Sequence, residues 1–175
     1  MALELQLPCP FCGVASQGGP WFDKSVSETS SAGSSSETTL LAGKVLKRSL
    51  PIVQPPAQGP VIKRLMLPQG ELAQFYDSED PIRYVAFIEL RAGSARGNHY
   101  HKIKEEWIYM IRGEVLLQVM DMESKASDSV ELGAGDLVLI RTGVAHALRI
   151  VTPGQAIEFS PNRFDPDDIY RFLLG

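Results

Sequence analysis

The sequence predicts an all-β domain, an antiparallel sandwich or barrel, closed by one short helix and preceded by a tail with no core of its own. Three observations predict it. From about residue 61, short runs rich in β-branched and aromatic residues recur, broken by Gly-bearing turns, with no helical periodicity between them. Residues 25–38, "SVSETSSAGSSSET", hold almost no bulky apolar residue and cannot bury enough surface to offset the entropy of ordering. The chain's 175 residues are 44% hydrophobic and 22% charged, ordinary globular usage at the length of one domain, so a packed core is feasible.

The strands are read in order. "IRYVAFIEL" (82–90) ends at "RAG", "EEWIYMI" (105–111) at "RGE", and "EVLLQVMD" (114–121) at the polar stretch "MESKASDS". "DLVLI" (136–140) follows "LGAG", "HALRIV" (146–151) ends at "TPG", and "QAIEFS" (155–160) comes next. Val115, Leu117 and Val119 alternate with Leu116, Gln118 and Met120, so one set fills the interior and the other is covered by another sheet or a second subunit. Near the end, "FDPDDIYRFLL" offers Asp165 as N-cap, Pro166 at the first helical position and acids in the first turn. Ile169, Phe172 and Leu173 then form an apolar stripe at helical spacing.

The organisation expected is a Ser-rich disordered tail over residues 1–42, an extended Pro-rich linker over 43–60 and the folded domain over 61–175. Cys9 and Cys12 form a lone CxxC. A four-cysteine zinc site needs a second pair that the chain lacks, which leaves half of a shared site, a redox pair, or an inert reduced pair in a loose tail. The formal net charge of −4 argues against nucleic acid or an anionic membrane as the main partner. No apolar run reaches membrane-spanning length and the N-terminus does not read as a secretory signal, so a cytoplasmic protein is expected.

The chain has three histidines, and two stand one residue apart in "GSARGNHYHKIKEEW" (93–107). Residues i and i+2 of a strand share a face, so His99 and His101 point the same way and Tyr100 the other. Glu106, past a short turn, can return a carboxylate to the same point, and His146, opening a later strand, can add a third imidazole. Three imidazoles and one carboxylate suit zinc, iron, manganese, nickel or copper. Glu105 competes for the carboxylate role, but one position off in parity it faces away.

Gly93, His99, His101, Glu106 and Gly113, at their spacing, resemble the first motif of the cupin superfamily, and it is the six-residue spacing to Gly113 in that motif that selects Glu106 over Glu105. Gly135, Gly143 and His146 resemble the second, with Arg141 in place of the usual proline and Ile150 where asparagine is common. The likeness covers roughly residues 60–161. It implies a small jelly-roll β-barrel holding one divalent metal through His99, His101, Glu106 and His146, and a homodimer, as in many cupins. "ARGNHYHKIKEEWIYMIRGE" is further similar to the cupin domain of capsular-polysaccharide UDP-sugar enzymes and to nucleotide-sugar epimerases and ketoisomerases. That likeness implies proton transfer beside the carbonyl of a sugar-like substrate. His99 is the candidate catalytic residue, Tyr84, Tyr100 and Tyr109 lie nearby in sequence, and Arg96 and Lys102 are candidates for a diphosphate. The other readings are an Fe(II)-dependent cupin dioxygenase and a non-catalytic metal- or sugar-binding module.

Overall fold

The computed structural model describes residues 35–56 and 59–174. The expected CxxC and most of the Ser-rich tail lie outside the described residues. The strands are β1 (Ser36–Leu40), β2 (Val45–Ser49), β3 (Ile52–Val53), β4 (Lys63–Leu67), β5 (Gly70–Gln74), β6 (Tyr84–Leu90), β7 (Ala95–Tyr100), β8 (Glu106–Asp121), β9 (Ser127–Leu132), β10 (Asp136–Ile140), β11 (Val144–Ser160) and β12 (Tyr170–Arg171).

Two long strands organise the domain. β8 and β11 pair antiparallel along most of their length, and each serves two sheets. The first half of β8 and the second half of β11 lie between β10 and β6, with β2 and β1 beyond β10. The second half of β8 and the first half of β11 lie between β9 and β7, with β12 beyond β7. The bend falls at two facing glycines. Gly113 has φ +87°, and a Cβ there would stand 2.6 Å from the Cα of Gly154. The ladder register also shifts between Thr152 and Gln155, as a bulged, bending strand requires. The expected strand pairs 105–111/114–121 and 146–151/155–160 are therefore two continuous bent strands rather than four.

One apolar core fills the space between the sheets. Ile88, Leu90, Ile108, Met110, Val138 and Ile140 from the first sheet meet Val115, Leu117, Val119, Leu132, Val144, Leu148 and Ile150 from the second. The outer faces are also largely covered, by the chain itself. Tyr109, Leu137 and Phe159 pack under Phe75, Tyr76 and Ile62, beside the small sheet of β3, β4 and β5. Ala145, Ala147 and Met120 pack under Phe172 and Leu174.

Two expectations are corrected. Residues 43–60 are not a linker: β2 pairs with β10 over five residues, and β1 pairs with β2, so the domain begins before residue 43. Arg141 is part of the reason. Its backbone N–H donates to the Lys44 carbonyl at 2.9 Å, a bond that the usual proline cannot make. The C-terminal helix is absent as well. Pro166–Asp168 make one 3-10 turn, with Asp165 accepting from the Asp167 N–H at 2.9 Å, and the chain then extends into β12. A helix of some seven residues is marginal in water. Here the Asp168 carboxylate is committed to the backbone of residues 102–104.

Candidate metal centre

β7 and β11 bring two imidazoles together through a local irregularity. His99 stands opposite His146 and Gly97 opposite Ala147, which leaves Asn98 as an extra, bulged residue with φ +57°. Gly97 lets the strands close: a Cβ on it would stand 2.7 Å from the His146 carbonyl oxygen. The bulge also reverses side-chain parity. Arg96 pairs with Leu148, whose side chain lies in the inner core, so Arg96 and His99 both belong to the inner side although three residues apart. Asn98 is used twice more, its carbonyl accepting from the Phe172 N–H at 2.9 Å and its side-chain oxygen from the Leu174 N–H at 3.3 Å.

Glu106 opens β8 on the face of Ile108 and Met110 and is buried; Trp107 and Tyr109 face outward. The ligand atoms of His99, His101, Glu106 and His146 all lie within 4.8 Å of one another. His101 Nε2 is 3.4 Å from Glu106 Oε2, and His146 Nε2 is 3.6 Å from Glu106 Oε1. Donors bound at about 2.0–2.1 Å around a tetrahedral ion lie about 3.3 Å apart, close to these separations. Glu105 faces the other way and accepts from Arg141 Nη1 at 2.9 Å.

The tautomers point inward. His101 Nδ1 donates to the Asp168 carbonyl at 2.6 Å, and His146 Nδ1 donates to the Val144 carbonyl at 3.1 Å. In the neutral rings each Nε2 then carries its lone pair toward the centre. His101 Nε2, His146 Nε2 and His99 Nδ1 are buried without a hydrogen-bond partner. Buried ring nitrogens without a partner are costly unless something meets them, and three histidines each carrying one, gathered with a carboxylate, fit a divalent transition ion.

Electrostatics follow from the packing. Burial, then His146, pushes His99 down to about 4, so it is neutral at pH 7. Burial opposes charge on His101, but Glu106 and the Asp168 carbonyl outweigh it and leave the ring above the usual imidazole range. Burial would likewise raise Glu106, yet His146, His101 and Lys104 together hold it well below the usual carboxylate range.

Three residues of this chamber were not singled out in the sequence. Lys104 is buried, with Nζ 3.3 Å from Glu106 Oε2 and in a shorter contact with Glu158 Oε1. The Tyr84 ring lies 4.5 Å from that ammonium. Glu158 sits above the usual carboxylate range, through burial and then the nearby Glu106 charge. Asp168, 3% exposed, binds the loop between β7 and β8: its carboxylate accepts from the N–H groups of Lys102, Ile103 and Lys104. The remaining candidates are dispersed. Arg96 is exposed at the edge, close enough for its charge to act on Tyr84. Lys102 lies over the Tyr170 ring at 4.1 Å, Tyr170 stacks on Tyr100, and Tyr109 stacks on Phe75 at 4.3 Å outside the inner core.

Comparison with known proteins places this architecture. Residues 86–162 match the family model described as a cupin domain. The chain has the cupin fold. A dTDP-6-deoxy-D-glucose-3,5-epimerase from Legionella pneumophila, solved with dTDP-4-keto-L-rhamnose, superposes at a TM-score of 0.61 with 13% identity, over 79% of this chain and 77% of that one. A dTDP-4-dehydrorhamnose 3,5-epimerase from Sulfolobus tokodaii gives 0.61 and 17%, over 77% and 80%. A 3,4-ketoisomerase from Helicobacter canadensis gives 0.56 and 15%, over 63% and 86%. At these identities the likeness is one of fold. No curated protein matches by sequence. Among the described residues no helix is long and apolar enough to cross a membrane.

Proposed function

We propose that this cupin holds a divalent transition metal and epimerises or isomerises a nucleotide-linked or related sugar by moving a proton at the carbon beside a carbonyl. The observation that carries the reading is the gathering of three histidines and the buried Glu106, with ligand atoms within 4.8 Å of one another and a partnerless buried nitrogen on each ring. The structural neighbours named as sugar-nucleotide epimerases and ketoisomerase supply the substrate class.

His99, His101, Glu106 and His146 are the proposed ligands. A divalent ion there supplies Lewis-acid stabilisation of charge on a carbonyl oxygen. The chain's own groups do the rest. Of the two groups suited to accept the proton, His99 is occupied once it serves as a ligand, which leaves Glu158. Its carboxyl, raised by burial, is tuned toward the range a general base needs. Arg96, exposed at the edge on the side of Tyr84, is placed to meet a diphosphate through its guanidinium fork. Lys102 lies over Tyr170 and has no part in this reading. The working state is a homodimer in the cytoplasm; Val85 and Phe87, 61% and 59% exposed on the outer side of β6, are an apolar face for a second copy.

The test is solvent exchange. Metal-loaded protein in deuterated water, with a panel of 4-keto nucleotide sugars, is expected to place deuterium at the α-carbon, read by NMR. Glu158→Gln is expected to remove exchange while substrate still binds, and Arg96→Ala to raise KM chiefly. Oxygen consumption by the iron form without exchange would favour the dioxygenase. Sugar binding without either would favour a binding module.

A further inference from the structure

The chamber holds a cation that a three-histidine, one-carboxylate site does not need. Lys104 is 6% exposed, and its ammonium contacts Glu106 Oε2 and Glu158 Oε1 together. We infer that Lys104 is a tethered competitor that sets the affinity of the site for a divalent ion, and that Glu158 is the counter-charge that holds Lys104 when Glu106 turns to the ion. This rests on the metal-binding reading above.

The geometry of one carboxylate makes the argument. Glu106 Oε1 faces His146 Nε2 at 3.6 Å, whereas Oε2 faces both His101 Nε2 at 3.4 Å and Lys104 Nζ at 3.3 Å. An ion among the three imidazoles and the lysine ammonium place their positive charges on the same carboxylate. In a poorly solvated interior that repulsion is strong. Lys104 has little freedom to withdraw: its backbone N–H is bonded to Asp168 Oδ2 at 2.9 Å, and the Tyr84 ring stands 4.5 Å from the ammonium. Among the described residues, Glu158 is the remaining carboxylate in contact with it. It lies on β11 opposite Ile108 of β8 and Ala86 of β6, a register that fixes it beside the cluster without making it one of the four converging groups. The lysine thus lowers affinity and Glu158 restores part of it, which gives an exchangeable ion rather than one held permanently.

The full chain, stripped with a chelator, is titrated with Zn(II) alone and Mn(II) alone by calorimetry, and its melting temperature is followed with and without each ion. Lys104→Met is expected to bind Zn(II) at least tenfold more tightly while its metal-free form melts lower, because Glu106 and Glu158 lose their cation. Glu158→Gln is expected to bind at least tenfold more weakly, because Lys104 then rests wholly on Glu106. Opposite signs are the signature, since general damage to the site weakens both. Equal or weaker binding by Lys104→Met overturns the inference. If that variant does not fold, equal or tighter binding by Glu158→Gln overturns it instead. Binding by Lys104→Met where wild type is silent supports it in its strongest form. Silence of both wild type and Lys104→Met toward both ions sinks the metal reading and the inference with it.

Discussion

Asp168 is the residue whose removal tests how the centre is assembled. It contributes no atom to the converging cluster, yet its carboxylate takes the N–H groups of Lys102, Ile103 and Lys104, and its carbonyl takes the His101 Nδ1 proton. The loop it binds begins with His101 and joins the strand of His99 to the strand opened by Glu106. Asp168→Ala leaves three backbone donors without that partner. A hydrogen bond to a charged acceptor contributes about 1.5–3 kcal/mol, and a buried donor left unpaired costs about 1–3 kcal/mol. Water entering the vacated volume recovers part of this, so a loss on the order of 3–4 kcal/mol is expected in urea unfolding. A domain with about 5–15 kcal/mol of stability survives that, weakened. Asp168→Asn keeps one acceptor oxygen but turns an NH2 toward the Ile103 and Lys104 donors, so roughly half the loss is expected.

The same change should loosen His101. Losing a group that orients a ligand typically weakens metal affinity about 10–100-fold, so Asp168→Ala is expected to bind Zn(II) that much more weakly. The pH dependence gives a third reading. Burial would raise the Asp168 carboxyl, but the N–H groups of Lys104, Lys102 and Ile103 outweigh it and leave the group depressed. A depressed carboxyl stabilises the fold above its unfolded value, about 3.9, and that stabilisation is lost as pH falls through the lower folded value. The share of the difference that comes from the Asp168 charge should therefore be fully present from about pH 5 upward and disappear in acid, with any change at higher pH marking the coupled His101. A variant matching wild type in both urea midpoint and Zn(II) affinity would refute the whole account.

Three further outcomes are expected. Glu106→Gln should abolish high-affinity Zn(II) binding in calorimetry, whereas Glu105→Gln should lose only the exposed pair with Arg141 and bind as wild type. Zn(II) affinity should fall as pH drops through the raised His101 value, above the ordinary 6.5, because the ion must displace that proton; His99, already neutral down to about 4, adds no dependence near pH 7. Gly154→Ala should cost on the order of 3 kcal/mol or more in urea unfolding, because the added Cβ meets the Arg112 backbone and the Gly113 Cα, neither of which can yield cheaply.

The parts of the fold that could be read from the sequence are those governed by period-two alternation and by spacing. Glu106 over Glu105 followed from the spacing to Gly113 in the motif the chain resembles, with parity turning Glu105 away, and the structure buries Glu106 on the face of Ile108 and Met110. β9 is inconspicuous in the sequence: it starts inside the polar stretch "MESKASDS" and, as a short strand paired with β8, offers little more than Val130 and Leu132 to the core. β1 and β2 were hidden for a related reason. Their stretch sits between a Ser-rich tail and a run of prolines, and the strand that docks them, β10, lies about ninety residues away, with Arg141 adding one more bond at its end.

The site shows a sharper limit. Alternation from His99 puts Arg96 on the opposite face, and only the Asn98 bulge, with its positive φ beside the close approach at Gly97, brings both to the inner side. Glu158 was obscured by packing on both faces of its strand. In "QAIEFS" hydrophobicity alone would turn Ile157 and Phe159 inward, but they face the outer cluster under Phe75 and Tyr76, which leaves Ala156 and Glu158 inside. Hydrophobicity cannot orient a strand whose two faces are both covered; polarity orients it only where one face meets water. Lys104 follows from Glu158 by the same logic. In the sequence it is one charge in the polar run "HKIKEE", and it becomes a buried cation because a second carboxylate, fifty-four residues later, faces inward to hold it.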